Sequence, residues 1–181
     1  MTEIKDRNAR QAQSDAHPKG VPVRLTVRTN LAMWVLMYCA VRRGELVRSV
    51  DMAEACNASV HHIAQVVNQL SVLGYLHTLR GRTGGVRLAR NPAKVTVGEV
   101  FLHFESNVPL TECFDDKGNT CPLRQGCRLR HALQEAVNAF YGALQAVTLQ
   151  ELVCDKLRLE TLFAGHACAA GAAVTSAPVT V

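Results

Sequence analysis

SVDMAEACNASVHHIAQVVNQLSVLGYLHTLRGRTGGVRLA, residues 49–89, carries two helical patterns followed by two strand patterns. A short helix is predicted from about Val50 to Cys56, with Ser49 as its cap. Asn57-Ala58-Ser59 then turns the chain. Ser59 caps a longer helix through Leu73, because its hydroxyl can accept an unpaired N–H of the first turn. Ile63, Val66, Val67, Leu70 and Leu73 recur at steps of three and four and so share one face, and Gly74 stops the run. Two short helices joined by a tight turn form a helix-turn-helix, placed at 49–73. Two strand-like runs follow, Tyr75–Arg80 and Val86–Ala89, around Gly81-Arg82-Thr83-Gly84-Gly85. Glycine at three of these five positions suits a hairpin tip, so 75–90 reads as the wing of a winged helix.

Upstream, Thr29–Val41 has helical spacing in Leu31, Val35, Leu36 and Cys39, with Thr29 or Asn30 as cap and Gly44 ending the segment. Downstream, Asn91-Pro92 breaks the chain before a short helix over Val97–Phe104. The longest helical pattern runs from Leu123 or Cys127 to Val153 through Leu129, Leu133, Ala136 or Val137, Phe140, Leu144 and Val147. So long an apolar seam on a small domain calls for a partner helix, which makes 127–153 a dimerisation helix. The expected architecture is mainly α: a winged helix-turn-helix DNA-binding domain over 23–153, with a long C-terminal dimerisation helix. Residues 1–22 read as a polar, disordered arm, and 154–181 as a low-complexity tail without helical periodicity.

Of the 181 residues, 48% are hydrophobic and 19% charged, which supports a packed core and excludes a wholly disordered or collagen-like chain. The longest apolar stretch, Leu31–Val41, is too short to span a bilayer, and the first twenty residues lack the apolar centre of a signal peptide. A cytoplasmic protein with no membrane contact is expected, and with it reduced thiols.

Charge placement says more than the net +5. From Ala55 to Gly98 there is no Asp or Glu, while Arg80, Arg82, Arg87, Arg90 and Lys94 stand beside His61, His62 and His77. Such a patch attracts the phosphate backbone of nucleic acid. If the 59–73 helix enters the major groove, Ser59, His61, His62 and Gln65 reach bases or phosphates, whereas Asn68, further along, suits packing. Arg80, Arg82 and Arg87 would then contact DNA from the wing, with Arg82 at its tip. His61 and His62 point about 100° apart on a helix and make poor joint metal ligands. Walker, G-x-S-x-G and H-E-x-x-H patterns are all absent, which argues against an enzyme.

Three of seven cysteines form C-x7-C-x5-C at Cys113, Cys121 and Cys127, in a loop over 113–127. These gaps are wide for a zinc knuckle and suit a bulkier iron–sulfur cluster, although zinc or redox thiols remain open from spacing alone. His131, four residues after Cys127, could complete the ligand set. Cys39 and Cys56 read as small buried hydrophobes, and the sequence assigns no role to Cys154 or Cys168.

VRLTVRTNLAM (23–33), VVNQLSVLGYL (66–76), RGRTGGVRLA (80–89) and CFDDKGNTCPLRQGCRL (113–129) together resemble the Rrf-type winged-helix regulators of bacteria. The Cys-Pro-Leu-x3-Cys-x-Leu signature most resembles their nitric-oxide-sensing repressor branch, NsrR. The resemblance implies a homodimer with crossed long helices on a palindromic double-stranded operator. It also implies one iron–sulfur cluster per subunit, 4Fe–4S or 2Fe–2S, on Cys113, Cys121 and Cys127. Nitric oxide would attack the cluster and release the operator of nitric-oxide detoxification genes. Asn30 stands where some relatives carry an Asp that ligates the partner subunit's cluster, so the fourth ligand would be Asn30 of the partner subunit, His131 or a small molecule. Trp34 replaces an Arg found in those members. Arg-Thr-Asn at 28–30 and Glu-Cys-Phe-Asp-Asp at 112–116 also resemble the iron-responsive branch, RirA. A zinc- or thiol-stabilised interaction module without DNA binding is the alternative of another class.

Overall fold

The computed structural model describes residues 25–81, 83–105, 111, 114, 120–123 and 126–171, from 165 onward by backbone only. The N-terminal arm, the wing-tip Arg82, the first loop cysteine Cys113 and residues 172–181 therefore lie outside the described residues, as does the side chain of Cys168.

Helix α1, Val27–Val41, is the centre of the molecule. Leu31, Val35, Leu36 and Cys39 are buried as their spacing predicts, and Ala32, Met33, Tyr38 and Ala40 join them. A helix buried nearly all round must be covered on several sides. The helices and the hairpin described below supply that cover.

The cap of α1 is Thr26, not Thr29 or Asn30. Its hydroxyl accepts from Thr29 N at 3.3 Å, which places Thr29 inside the first turn, fully buried. The choice is settled from far along the chain. Glu105 accepts from Thr26 N and from the Thr26 hydroxyl, each at 2.9 Å, and from the Thr29 hydroxyl.

Helix α2, Ser49–Ala55, and helix α3, Val60–Val72, form the helix-turn-helix. Arg48 occupies the cap of α2 without a side-chain bond, so Ser49 is its first helical residue rather than its cap. Asn57 makes the turn at φ +47°. Ser59 caps α3 as expected, accepting from His62 N at 3.2 Å. Ile63, Val66, Val67 and Leu70 are buried against α1 and α2.

Strands β1, Leu76–Leu79, and β2, Gly85–Leu88, pair antiparallel with Leu76 opposite Leu88 and His77 opposite Arg87. Val47 adds a one-residue bridge to Val86, with both backbone hydrogen bonds at 2.8 Å. Gly84 is required by close approach, since a Cβ there would lie 2.3 Å from the Leu79 carbonyl oxygen.

A single 3-10 turn, Pro92–Lys94, leads into α4, Val97–Glu105. Helix α5, Arg128–Gln145, packs on α4. At Gly98 a Cβ would stand 2.8 Å from Gln145 N, so glycine lets the end of α5 approach α4 closely.

The long helix expected through Val153 ends at Gln145. Thr148 and Glu151 form a capping box that starts a new helix, α6, at Leu149–Leu152. Glu151 accepts from Thr148 N at 2.6 Å while Thr148 Oγ1 accepts from Glu151 N at 3.2 Å. Backbone bonds from Val97 N to Val147 O and from Leu149 N to Val95 O satisfy the interrupted segment. The apolar seam is accordingly divided. Phe140, Tyr141 and Leu144 pack on the chain's own core, whereas Leu129 is 66% exposed.

The C-terminal segment also departs from expectation. A helix, α7, runs over Lys156–Gly171 and packs on α1 and α2, with the Phe163 ring edge-on to Tyr38 at 5.2 Å. Asp155 starts it by accepting from Arg158 N at 3.2 Å. The Ala- and Leu-rich composition favours helix by propensity even without an amphipathic stripe.

Candidate nucleic-acid interface and cysteine site

The buried stripe of α3 leaves a polar face outward, where Ser59, His61, His62 and Gln65 are all exposed. Ser59 already uses one lone pair as the cap, and its O–H remains available to a phosphate. His61 Nε2 and Gln65 Nε2 lie 2.9 Å apart across one turn, a pairing the sequence did not announce. Two further residues outside the apolar stripe, Val60 (47% exposed) and Ala64, are exposed alongside them. Asn68 is exposed rather than packed. A groove of about 490 Å³ runs along the turn between α2 and α3, lined by Val50, Ala53, Glu54, Asn57, Ala58, Ser59 and Val60.

On the hairpin, Arg87 and His77 are exposed as a cross-strand pair, and Arg80 is exposed just after β1. Arg90 behaves differently. Its Nη1 donates to Glu99 at 2.9 Å and its guanidinium lies over the Tyr75 ring at 4.9 Å, so it ties the base of the wing to α4. The neutralising acid stands one residue beyond the acid-free stretch, which is why the sequence counted Arg90 with the basic patch.

The cysteine loop meets the fold at α5. Cys127 is the N-cap of this helix, with Sγ accepting from Arg130 N at 3.4 Å. A helix N-terminus favours negative charge, as a thiolate ligand requires. Cys127 shares a depression of about 250 Å³ with Gly126, Arg130, His131 and Gln134. His131 Nδ1 is 3.6 Å from Glu135, an exposed pair one turn apart. Cys121 is half-buried, and Asn30 is exposed in the first turn of α1 with Trp34 one turn on, 38% exposed. Among the described residues no three His, Cys, Asp or Glu side chains converge on a metal position. The donor chemistry that is described, a thiol at a helix N-cap with an imidazole in the same depression, fits a thiolate-bound iron centre.

The remaining thiols contrast with these. Cys39 and Cys56 are 1% and 2% exposed. Burial, then the neighbouring Cys56, pushes the Cys39 thiol up to about 12, with Arg42 pulling the other way, and burial pushes Cys56 up to about 11. Both are kept as neutral, packed thiols. In native, metal-free protein a thiol reagent should therefore modify Cys127 and exposed Cys154 well before Cys39 or Cys56. Peptide mass spectrometry of a timed alkylation would show it, and early labelling of Cys39 would contradict the packing.

No described helix is long and apolar enough to cross a membrane. A family model described as "Rrf2: Iron-dependent Transcriptional regulator" matches residues 25–155. The HTH-type transcriptional regulator NsrR of Geobacillus kaustophilus is 43% identical over 141 residues, covering 77% of this chain and 96% of that protein. The HTH-type transcriptional repressor NsrR of Streptomyces coelicolor is 38% identical over 133 residues, covering 72% of this chain and 88% of that one. Among solved structures, the global cysteine regulator CymR of B. subtilis superposes with a TM-score of 0.55 at 22% identity, over 74% of this chain and 98% of its own, a likeness of fold. The winged helix, the exposed basic hairpin and the family match agree: the chain belongs to the Rrf2 family of iron-dependent transcriptional regulators, and it is a regulator of transcription rather than an enzyme.

Proposed function

We propose that the chain is a cytoplasmic iron–sulfur repressor that binds a palindromic operator as a homodimer and releases it in response to nitric oxide. The observation that carries this reading is the 43% identity to an NsrR regulator. Coverage of 77% of 181 residues leaves no room to miss either the reader at 49–89 or the cysteine loop at 113–127. Cys113, Cys121 and Cys127 would hold the cluster, with His131 or Asn30 of the partner subunit as fourth ligand. Bound there, a cluster supplies thiolate-ligated iron with which nitric oxide reacts.

What the chain itself contributes is a short line of connected elements. Cys127 is fixed to the first turn of α5, and α5 packs on α4. One end of α4 holds the wing through Glu99 and Arg90, and the other holds the start of α1 through Glu105. The contacts lie in the C-terminal half of α5, at Phe140 and Gln145, so a shift of the whole helix would bear on the element that carries the wing. Ser59, His61, His62 and Gln65 would meet the major groove and Arg80, Arg82 and Arg87 the phosphates or minor groove. The exposed N-terminal half of α5, with Leu129, would face the second subunit.

The test is fluorescence anisotropy on anaerobically reconstituted protein with operator DNA. Nitric oxide should raise Kd by two orders of magnitude or more, toward non-specific affinity, and log K should fall linearly with log salt, by about 0.9 per phosphate neutralised. Loss of binding on iron chelation, with nitric oxide having no special potency, would favour the iron-responsive reading that the family's description also suits. Stoichiometric zinc in colourless protein would defeat the cluster reading.

A further inference from the structure

Helix α3 combines features that together specify which bases it reads. Its sequence, VHHIAQVVNQLSV, contains no Arg, Lys, Asp or Glu. Arg and Lys are the commonest ligands of guanine O6 and N7, and Asp and Glu accept from cytosine N4. The helix that faces the groove thus lacks the charged side chains that read G·C pairs. What it presents instead is two parallel rows of residues four apart, hence on one line of the helix surface. His61 and Gln65 form a polar row, Val60 and Ala64 an apolar one, and all four are exposed.

The polar row is already joined. His61 Nε2 and Gln65 Nε2 are 2.9 Å apart. An amide nitrogen can only donate, so the imidazole nitrogen accepts. This contact uses one of the two N–H groups of Gln65 and leaves it one N–H donor and its Oε1 acceptor. That remaining pair is what a bidentate contact with adenine requires, donating to N7 and accepting from N6. Thymine, adenine's partner, offers a C5-methyl in the same groove, and the Val60–Ala64 row is the apolar surface to meet it.

We propose that His61 and Gln65 act as one reader of an A·T pair in the major groove, Gln65 contacting adenine while His61 positions its amide, with Val60 and Ala64 against thymine methyl groups. The inference rests on the DNA-binding reading above. It assigns sequence discrimination to an uncharged helix and leaves charge contacts to the hairpin, where Arg80 and Arg87 are exposed. His61 is a positioning residue in this arrangement, and Gln65 makes the contact.

The experiment uses full-length holoprotein and a randomised duplex library, selected anaerobically. Enrichment should place an A·T pair at fixed positions in each half-site. At the adenine read by Gln65, replacement by 7-deaza-adenine, which lacks N7, should weaken wild-type binding roughly 10-fold. The same replacement should leave Gln65→Ala unaffected. Exchange of the A·T pair for G·C should cost wild type roughly 10- to 100-fold and the Gln65→Ala variant little. Uracil in place of thymine should weaken wild type and have a smaller effect on Val60→Ala. His61→Ala should lose part of the A·T discrimination while keeping its circular dichroism, and His61→Gln, which can still accept from the Gln65 amide, should restore part of it. Unchanged A·T preference in Gln65→Ala, or a selected site of G·C pairs at the positions under α3, overturns the reader and leaves the DNA-binding reading standing. A library with no enrichment defeats both.

Discussion

Cys127→Ala should abolish specific operator binding, lowering affinity at least a hundredfold to the level of random DNA, while leaving the protein folded. Specific and non-specific binding by such regulators commonly differ by about 10³ or more, so the loss has room to be large. The side chain sits where two roles meet. Its sulfur caps α5 by accepting from Arg130 N, and its position at the loop's end makes it a proposed cluster ligand. Losing the cap alone costs on the order of 1 kcal/mol. Cys127→Ser separates the two, because a hydroxyl caps a helix well but holds iron–sulfur centres poorly. Serine should therefore restore thermal stability and not operator binding, as read by melting curves and anisotropy on the same anaerobic samples. Operator binding by the serine variant equal to wild type would remove Cys127 from the cluster. Colour and iron content of the purified variants report the ligand role independently of DNA.

Glu105→Ala should destabilise the fold by about 2–4 kcal/mol, since it removes one acceptor from several hydrogen bonds and bonds to a charged group are worth more than neutral ones. One carboxylate oxygen accepts from Thr26 N, the Thr26 hydroxyl and the Thr29 hydroxyl. Thr29 is fully buried, so its hydroxyl would gain no water in exchange and would keep only the Thr26 hydroxyl, 2.9 Å away. The carboxylate also lies at the N-terminus of α1, where negative charge is favoured. The variant should melt well below wild type. Burial pushes the Glu105 carboxyl upward, but the hydrogen bonds from Thr29 and Thr26 outweigh it and hold the carboxyl below the ordinary value of 4.5. A depressed folded pKa gives stability that is complete above the unfolded value and lost as pH falls through the folded one. The difference between wild type and Glu105→Gln should accordingly be constant from neutral pH to about pH 5 and shrink below about pH 4. Denaturant titrations across that range measure it. A difference that grew on acidification would contradict the arrangement.

These two residues also mark what the sequence could and could not convey. Helix α3 and the hairpin were legible because their signals are local: a serine before an apolar stripe, and a glycine-rich tip between strand-like runs. The start of α1 was not, because Thr26, Thr29 and Asn30 are all plausible caps and Glu105, 79 residues from Thr26, decides among them. The break after Gln145 was written in the chain as Thr148-x-x-Glu151, yet Leu144 and Val147 continue the apolar spacing and mask it. Helix α7 has no amphipathic stripe to detect, so only its propensity spoke for it. In the site, exposure of His61, His62 and Gln65 followed from the stripe on the other face of α3. Their mutual geometry did not, since a hydrogen bond between side chains leaves no periodic trace. The cysteine loop, lacking any periodicity, was readable only through spacing and resemblance.

The helix beyond the family boundary bears on how the molecule can be handled. The family model ends at residue 155, one residue before α7 begins. Phe163 covers Tyr38 from this segment, and the helix packs on α2, which in turn packs on α3. A chain trimmed to the family boundary would uncover an aromatic ring and the flank of α2 together, trading a tidy end for an adhesive one. Substitutions along α7 bear on α1 and α2 directly and on α3 through α2, so the stability of the helix-turn-helix depends on a segment that lies outside the family boundary.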